Sequence, residues 1–224
     1  MPNRETRAAE APPAESINGR APGPKRLANE ARILKAAEEV FAATGFAGAR
    51  TSQIAKRAGV PKANLHYYFG TKEALYQRVL ENVLYTWLEM GDSIRADADP
   101  AEALTTYIAA KVEHSRRRPF ASKVFANELL HGAPQLKGYL RHELRRWVDA
   151  KARIIEGWAK AGRMAPLDGR HLLFLIWAMT QTYADFDVQV AAVLGRERIG
   201  PKDYQQATAL ITRLLLAGCG LKVT

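Results

Sequence analysis

Apolar residues recur every three to four positions along most of this chain, and strand-like alternation is nowhere sustained, so the pattern predicts an all-α protein. From about Leu27 to Thr44 the inner stripe is Ile33, Leu34, Ala37, Val40 and Phe41, and Gly45 stops it. The stretch TSQIAKRAGVPKANLHYYFGTKEAL, Thr51 to Leu75, predicts two short helices around a tight turn and the start of a third. Thr51 is a suitable N-cap, Ile54, Ala55 and Ala58 share one face, and Gly59 sits where a left-handed backbone ends the first helix. Pro61 suits the opening of the second, whose inward face is Val60, Leu65 and Phe69. Thr71 caps the third, and Leu75, Val79, Val83, Trp87 and Ile94 carry its apolar face as far as Asp97–Pro100.

Beyond Pro100 the periodicity predicts helices over 101–118, 120–130, 135–160, 171–194 and 203–216, broken at His131–Pro134 and Gly162 and capped at Asp168 and Asp203. The 171–194 segment is apolar on most of its circumference, so it is expected to be buried on more than one side. One side meets its own domain. The other, with the helix over 204–216, is expected to meet a second copy of the chain.

A small residue at Ala55, a turn at Gly59 and an apolar residue at Leu65 have the spacing of a helix-turn-helix. The outward face of its second helix carries Lys62, Asn64, His66 and Tyr67, which suit base edges and phosphates but equally an ordinary solvated face. Charge favours a polyanionic partner. The net charge is +10, and residues 1–72 hold twelve Lys and Arg against six acids, while the rest holds 21 against 17. Residues 1–24 contain five prolines and little that is large and apolar, and are expected to be a flexible arm. Its Arg20, with Lys25 and Arg26, suits a DNA backbone or minor groove, or a solvated tail.

The segment His66 to Leu75, HYYF-G-TKEAL, resembles the motif that closes the DNA-binding domain of TetR-family repressors, and ARILKAAEEVFAATGFAGARTSQIAKRAGV resembles the family's first helix and turn. The resemblance implies a helix-turn-helix domain over 25–72 and a ligand-binding and dimerisation domain over 73–224. It also implies a homodimer on a palindromic double-stranded operator. Lys62, Ala63 and His66 are then expected to face bases. Thr51, Asn64, Tyr67, Tyr68 and Lys72 are expected at phosphates, with Ser52 also at the DNA.

Within the apolar 171–194 segment, Trp177 and Gln181 are four apart and share a face that Asp185 continues, flanked by Tyr183 and Asp187. An indole beside an amide suits a planar heterocycle with an amide edge; it also suits a core tryptophan and a glutamine satisfied across a dimer interface. KAGRMAPLDGRHLLFLIWAMTQTYADFDVQVAAVLG and YIAAKVEHSRRRPFASKVFANELLHGAPQL resemble pyrimidine-responsive members of the family, released by uracil or thymine. This implies an effector site with Trp87, Trp177 and Gln181, and with Glu128 and Tyr183 as further candidates. Pro61, Ala63 and His66 depart from those members, so the operator does not carry over. Phe125, Ala126 and Met179 also differ, which keeps a dihydropyrimidine or another degradation product open as effector.

The remaining chemistry is sparse. His114, His131, His142 and His171 are scattered, no nucleophile–base set or zinc spacing occurs, and no enzyme, cofactor or metal is expected. Cys219, the single cysteine, fits a reducing compartment. No apolar run has membrane-spanning length and the N-terminus lacks a signal-peptide core, so a cytoplasmic protein without membrane contact is expected.

Overall fold

The computed structural model describes residues 23–222, which are helical with no strand among them. Arg20 and most of the expected arm lie outside the described residues. Helix α1 (Pro24–Gly48) begins at a proline whose missing N–H costs nothing in a first turn, three residues before the expected start. At Gly45 the backbone turns to φ 67°, ψ 175°, so the regular helix breaks where the glycine predicts. Helix α2 (Thr51–Ala58) is preceded by Arg50, not Thr51, in the capping position; the Gln53 side chain accepts from the Arg50 N–H at 3.1 Å. Gly59 is left-handed and closes α2 through Val60 N–H to the Ala55 carbonyl, 3.1 Å.

Helix α3 (Lys62–Phe69) follows, then α4 (Lys72–Glu89), whose cap Thr71 accepts from the Ala74 N–H at 3.0 Å. The expected long helix stops earlier than its apolar face does. After Glu89 the chain tightens into a 3₁₀ turn at Met90–Ser93, and Ile94 is buried from extended backbone. Helices α5 (Pro100–Arg117) and α6 (Pro119–Leu130) agree with expectation, each opened by a proline.

Two further differences matter. The expected 135–160 helix is a single turn, α7 (Lys137–Tyr139), a π-helical stretch at Leu140–Leu144, and α8 (Arg145–Lys160). The expected 171–194 helix is two, α9 (Gly169–Asp185) and α10 (Asp187–Val193), parted at Phe186 with φ −117°, ψ 31°. Apolar spacing continues across both interruptions, which is why periodicity joined them. Asp168 caps α9 by accepting from Arg170 and His171 N–H at 2.8 and 3.1 Å. Helix α11 (Pro201–Gly218) closes the chain.

Two apolar clusters organise these helices. The first holds Ile33, Phe41, Ile54, Leu65, Leu75, Val79 and Val83, and continues through Trp87 to Phe125. The second joins α5, α8, α9 and α11 through Leu104, Tyr107, Ile108, Ile155, Leu173, Ile176, Ile211 and Leu215. Each fully buried Leu, Ile or Val contributes roughly 1.5–3 kcal/mol of transfer free energy. Helix α4 starts beside the helix-turn-helix and delivers Trp87, about four turns later, to the seam between the clusters.

Candidate functional site

The first candidate surface is the α2–α3 hairpin. Ala55 is buried where the helices cross, and Arg32 of α1 locks the turn by donating from Nη2 to the carbonyls of Ala58 and Gly59 at 2.7 and 3.2 Å. Leu65 anchors α3 inward with no exposure. Opposite it, Lys62, Ala63, His66 and Tyr67 are exposed, as is Ser52 at the start of α2; Thr51 and Asn64 are half-buried. His66 Nδ1 lies 3.0 Å from the Gly70 carbonyl, which orients the ring along the turn. Tyr68 is half-buried, its hydroxyl accepting from Asn29 Nδ2 at 3.3 Å and its ring facing Arg26 at 5.9 Å. Lys72 is turned into its own domain. Its ammonium donates to the carbonyls of Phe46 and Ala49 at 2.9 and 3.2 Å, and lies 4.4 Å from the centre of the Phe46 ring.

The second is a cavity of about 230 Å³ between α4, α5, α6, α8 and α9 and the π-helical stretch. The structure brings Trp87, Trp177 and Gln181 together in its wall, 94 residues apart in the chain at the extremes. It adds Tyr107 and Lys111 from α5, Trp147 from α8, Phe125 and Leu129 from α6, and Leu140 and Leu144 from the π-helical stretch. The Trp177 indole N–H donates to the Tyr107 hydroxyl at 2.7 Å, which fixes the Trp177 ring. The Trp147 and Trp177 rings stand 6.4 Å apart, and Phe125 meets Trp87 edge-on at 4.8 Å. Among the described residues, the buried Trp87 indole N–H has no hydrogen-bond partner and the half-buried Gln181 amide makes no hydrogen bond. Aromatic faces, two unused polar groups and a partly enclosed, mainly apolar volume suit a small planar ring.

Lys111 is fully buried there. Its ammonium lies 3.8 Å from the centre of the Trp87 ring, and burial pushes it down to about 7, against the pull of the Asp185 carboxylate. Burial, then Arg118 and Lys111, hold the neighbouring His114 at about 4, so its ring, edge-on to Trp87, is neutral at pH 7. Sequence reading missed Lys111, Tyr107 and Trp147. Their only signal was the i, i+4 spacing of Tyr107 and Lys111, which a lysine normally marks as a face turned to water.

Glu128 and Tyr183 do not join this wall. Glu128 is buried on the opposite side of α6, accepting from the Tyr76 hydroxyl at 3.0 Å and the Gln135 N–H at 2.6 Å, beside the cleft between α1 and α6. Its negative charge and burial drive the Tyr76 hydroxyl well above its usual range, burial being the larger cause. Tyr183 turns to α11, its ring 6.2 Å from that of Tyr204 and its carbonyl accepting from the Tyr204 hydroxyl at 3.3 Å.

A helix-turn-helix unit joined by one helix to a helical domain with an apolar cavity defines a class of DNA-binding regulators. Residues 33–79 match the family described as "Bacterial regulatory proteins, tetR family", and residues 80–222 match "YcdC-like protein, C-terminal region". The chain belongs to the TetR family of transcriptional regulators. It is 44% identical over 191 residues to the HTH-type transcriptional regulator RutR of Escherichia coli K12, covering 85% of this chain and 90% of that one. Among solved structures, a transcriptional regulator of Streptomyces coelicolor, SCO4942, superposes with a TM-score of 0.61 at 28% identity, over 85% of this chain and 97% of that one. A tetR-family regulatory protein from Rhodococcus RHA1 gives 0.68 at 22%, over 87% and 98%. No helix among the described residues is long and apolar enough to cross a membrane, and no group of described side chains has the makings of a metal site.

Proposed function

We propose that this chain is a homodimeric repressor that leaves a palindromic operator when a planar, pyrimidine-like ring occupies the Trp87–Trp177–Gln181 cavity. It is a binding protein, not an enzyme. The observation that carries the reading is the position of Trp87: one end of α4 borders the hairpin, the other is a wall of the cavity. A ring seated against Trp177, with its O=C–N–H edge at the Gln181 amide, presses on Trp87 and tilts α4.

A second tie reinforces that lever. Arg118, at the joint of α5 and α6, pairs with the buried Glu38 of α1 and donates to Asn82 of α4 at 2.9 Å. A shift at the cavity thus reaches the reading head through both α4 and α1. Two heads that must fit half-sites a fixed distance apart tolerate little tilt. The ring must bind the released arrangement better than the DNA-bound one, because equal affinity shifts nothing.

The dimer reading is supported by apolar side chains left in water on the outer faces of α9 and α11: Phe174, Leu175, Leu210 and Leu214. An obligate interface of this kind buries roughly 2,000 Å² or more. On the DNA side, Lys62, Ala63 and His66 read bases, while Thr51, Ser52, Asn64, Tyr67 and Tyr68 hold the backbone. A thermal-shift panel of uracil, thymine and dihydrouracil tests the effector class. A rise in melting temperature with at least one ring, lost in Gln181→Leu, is expected; a flat response to all three removes the pyrimidine class and leaves the regulator reading in place.

A further inference from the structure

The cavity wall carries one charged side chain and no counter-charge. Among its lining residues only Lys111 is ionic; the others are aliphatic, aromatic or, at Gln181, an amide. Carboxylates in the neighbourhood make their hydrogen bonds elsewhere, although the Asp185 charge still pulls on Lys111 without forming an ion pair with it. Asp185, one turn beyond Gln181, accepts from the Ser122 hydroxyl at 2.6 Å. Asp187 pairs with Lys123 at 2.7 Å, and Glu128 faces Tyr76. Lys111 has no hydrogen bond and no ion pair with a described residue; the Trp87 ring is its close partner.

An ammonium held in a buried site with no anion in contact is expensive, because the ring face and the more distant Asp185 charge offset only part of the desolvation. Methionine or leucine would fill the same space without that cost. An anion arriving beside Trp87 restores the full charge of this lysine, and the ammonium then forms a charge-assisted hydrogen bond in a low dielectric.

Taking the cavity as the effector site described above, we propose that Lys111 makes it selective for an anionic planar oxo-heterocycle, with Gln181 reading the ring's amide edge and Lys111 its negative charge. Two sources share that chemistry: a ring whose own acidic proton has left, and a ring carrying a carboxylate. The fit to a single ring is set by Trp147, Trp177 and Trp87 around about 230 Å³.

The test is isothermal titration calorimetry on the full chain with three rings: uracil, neutral at pH 7; barbiturate, an anion by loss of a ring proton; and orotate, an anion by its carboxylate. Wild type is expected to bind at least one anion about tenfold tighter than uracil, the scale of one charge-assisted hydrogen bond. Whichever anion is preferred identifies the source of the charge. Lys111→Met should bring the ratio of anion to uracil affinity close to one, and Lys111→Arg should keep it above one. The wild-type comparison needs no variant, so a misfolded Lys111→Met leaves the test intact. If uracil binds as tightly as both anions, or Lys111→Met keeps the wild-type ratio, the charge preference is wrong and the pyrimidine-type effector stands. If no ring binds, both are wrong.

Discussion

Removing the Arg118 guanidinium while keeping its apolar stem, as in Arg118→Met, isolates the tie between the reading head and the effector domain. In the wild type that guanidinium meets Glu38 of α1 and Asn82 of α4. Stripping one partner from a fully buried ion pair costs roughly 3–5 kcal/mol. Here the Glu38 side chain is 7% exposed but that of Arg118 is 32% exposed. Solvent screening discounts the loss to about 1–3 kcal/mol.

The pH dependence has a definite sign. Burial raises the Glu38 carboxyl above its ordinary range, and the Arg118 hydrogen bond pulls it part of the way back. A folded value above the unfolded one means the native state holds the proton more tightly, so the cost of burying the carboxylate is relieved as pH falls through that folded value. The variant loses the opposing pull from Arg118. Its deficit is therefore widest at neutral pH and narrows in acid. Denaturant unfolding at neutral and mildly acidic pH measures this. In function, Arg118→Met should bind effector within about threefold of wild type yet need about tenfold more of it to release operator, a coupling loss of the usual size. Unfolding within about 0.5 kcal/mol of wild type, together with an unchanged release curve, would refute the tie.

Other consequences are as direct. Lys72→Ala removes two hydrogen bonds that hold the Phe46 and Ala49 carbonyls, so it should lower stability by about 1–2 kcal/mol in denaturant unfolding; an unchanged midpoint would show that these contacts hold nothing. His66→Ala should instead alter the ranking of operator variants and leave stability near wild type; an unchanged ranking places His66 away from the bases. Leu214→Glu puts a charge into the exposed apolar face of α11 and should yield monomers in sedimentation at micromolar concentration, where wild type sediments as a dimer. A dimeric Leu214→Glu would move the interface elsewhere.

Much of this fold was legible wherever a local cause acts locally. Gly59, Thr71 and Asp168 end or begin helices through their own backbone or side-chain chemistry, and each does so here. The breaks at Glu89, Leu140 and Phe186 were not legible, because apolar spacing runs on across them and only packing by other helices decides where the chain turns. The cavity was half legible. Trp177 and Gln181 share a helical face by spacing alone, and Trp87 followed from family likeness. Lys111 was not, since a lysine directly after Ala109 and Ala110 reads as solvated until α4 and α9 are known to close over it. Glu128 and Tyr183 show the converse. Both are polar residues near the right helices, but each faces away from the cavity to a partner distant in sequence, Tyr76 and Tyr204.

The measurement that bears most directly on the account is operator release by fluorescence anisotropy, with operator DNA selected on the protein itself, for wild type and Gln181→Leu. Leucine keeps the volume but removes both hydrogen-bonding functions, leaving the ring's polar edge unpaired at a cost of roughly 1–3 kcal/mol, or about 5- to 150-fold in effector concentration. Wild type should release operator with at least one of the planar rings above, and Gln181→Leu should bind DNA normally and release it only at the higher concentration. A Gln181→Leu protein that releases operator at the wild-type effector concentration would contradict the account and place the effector outside this cavity.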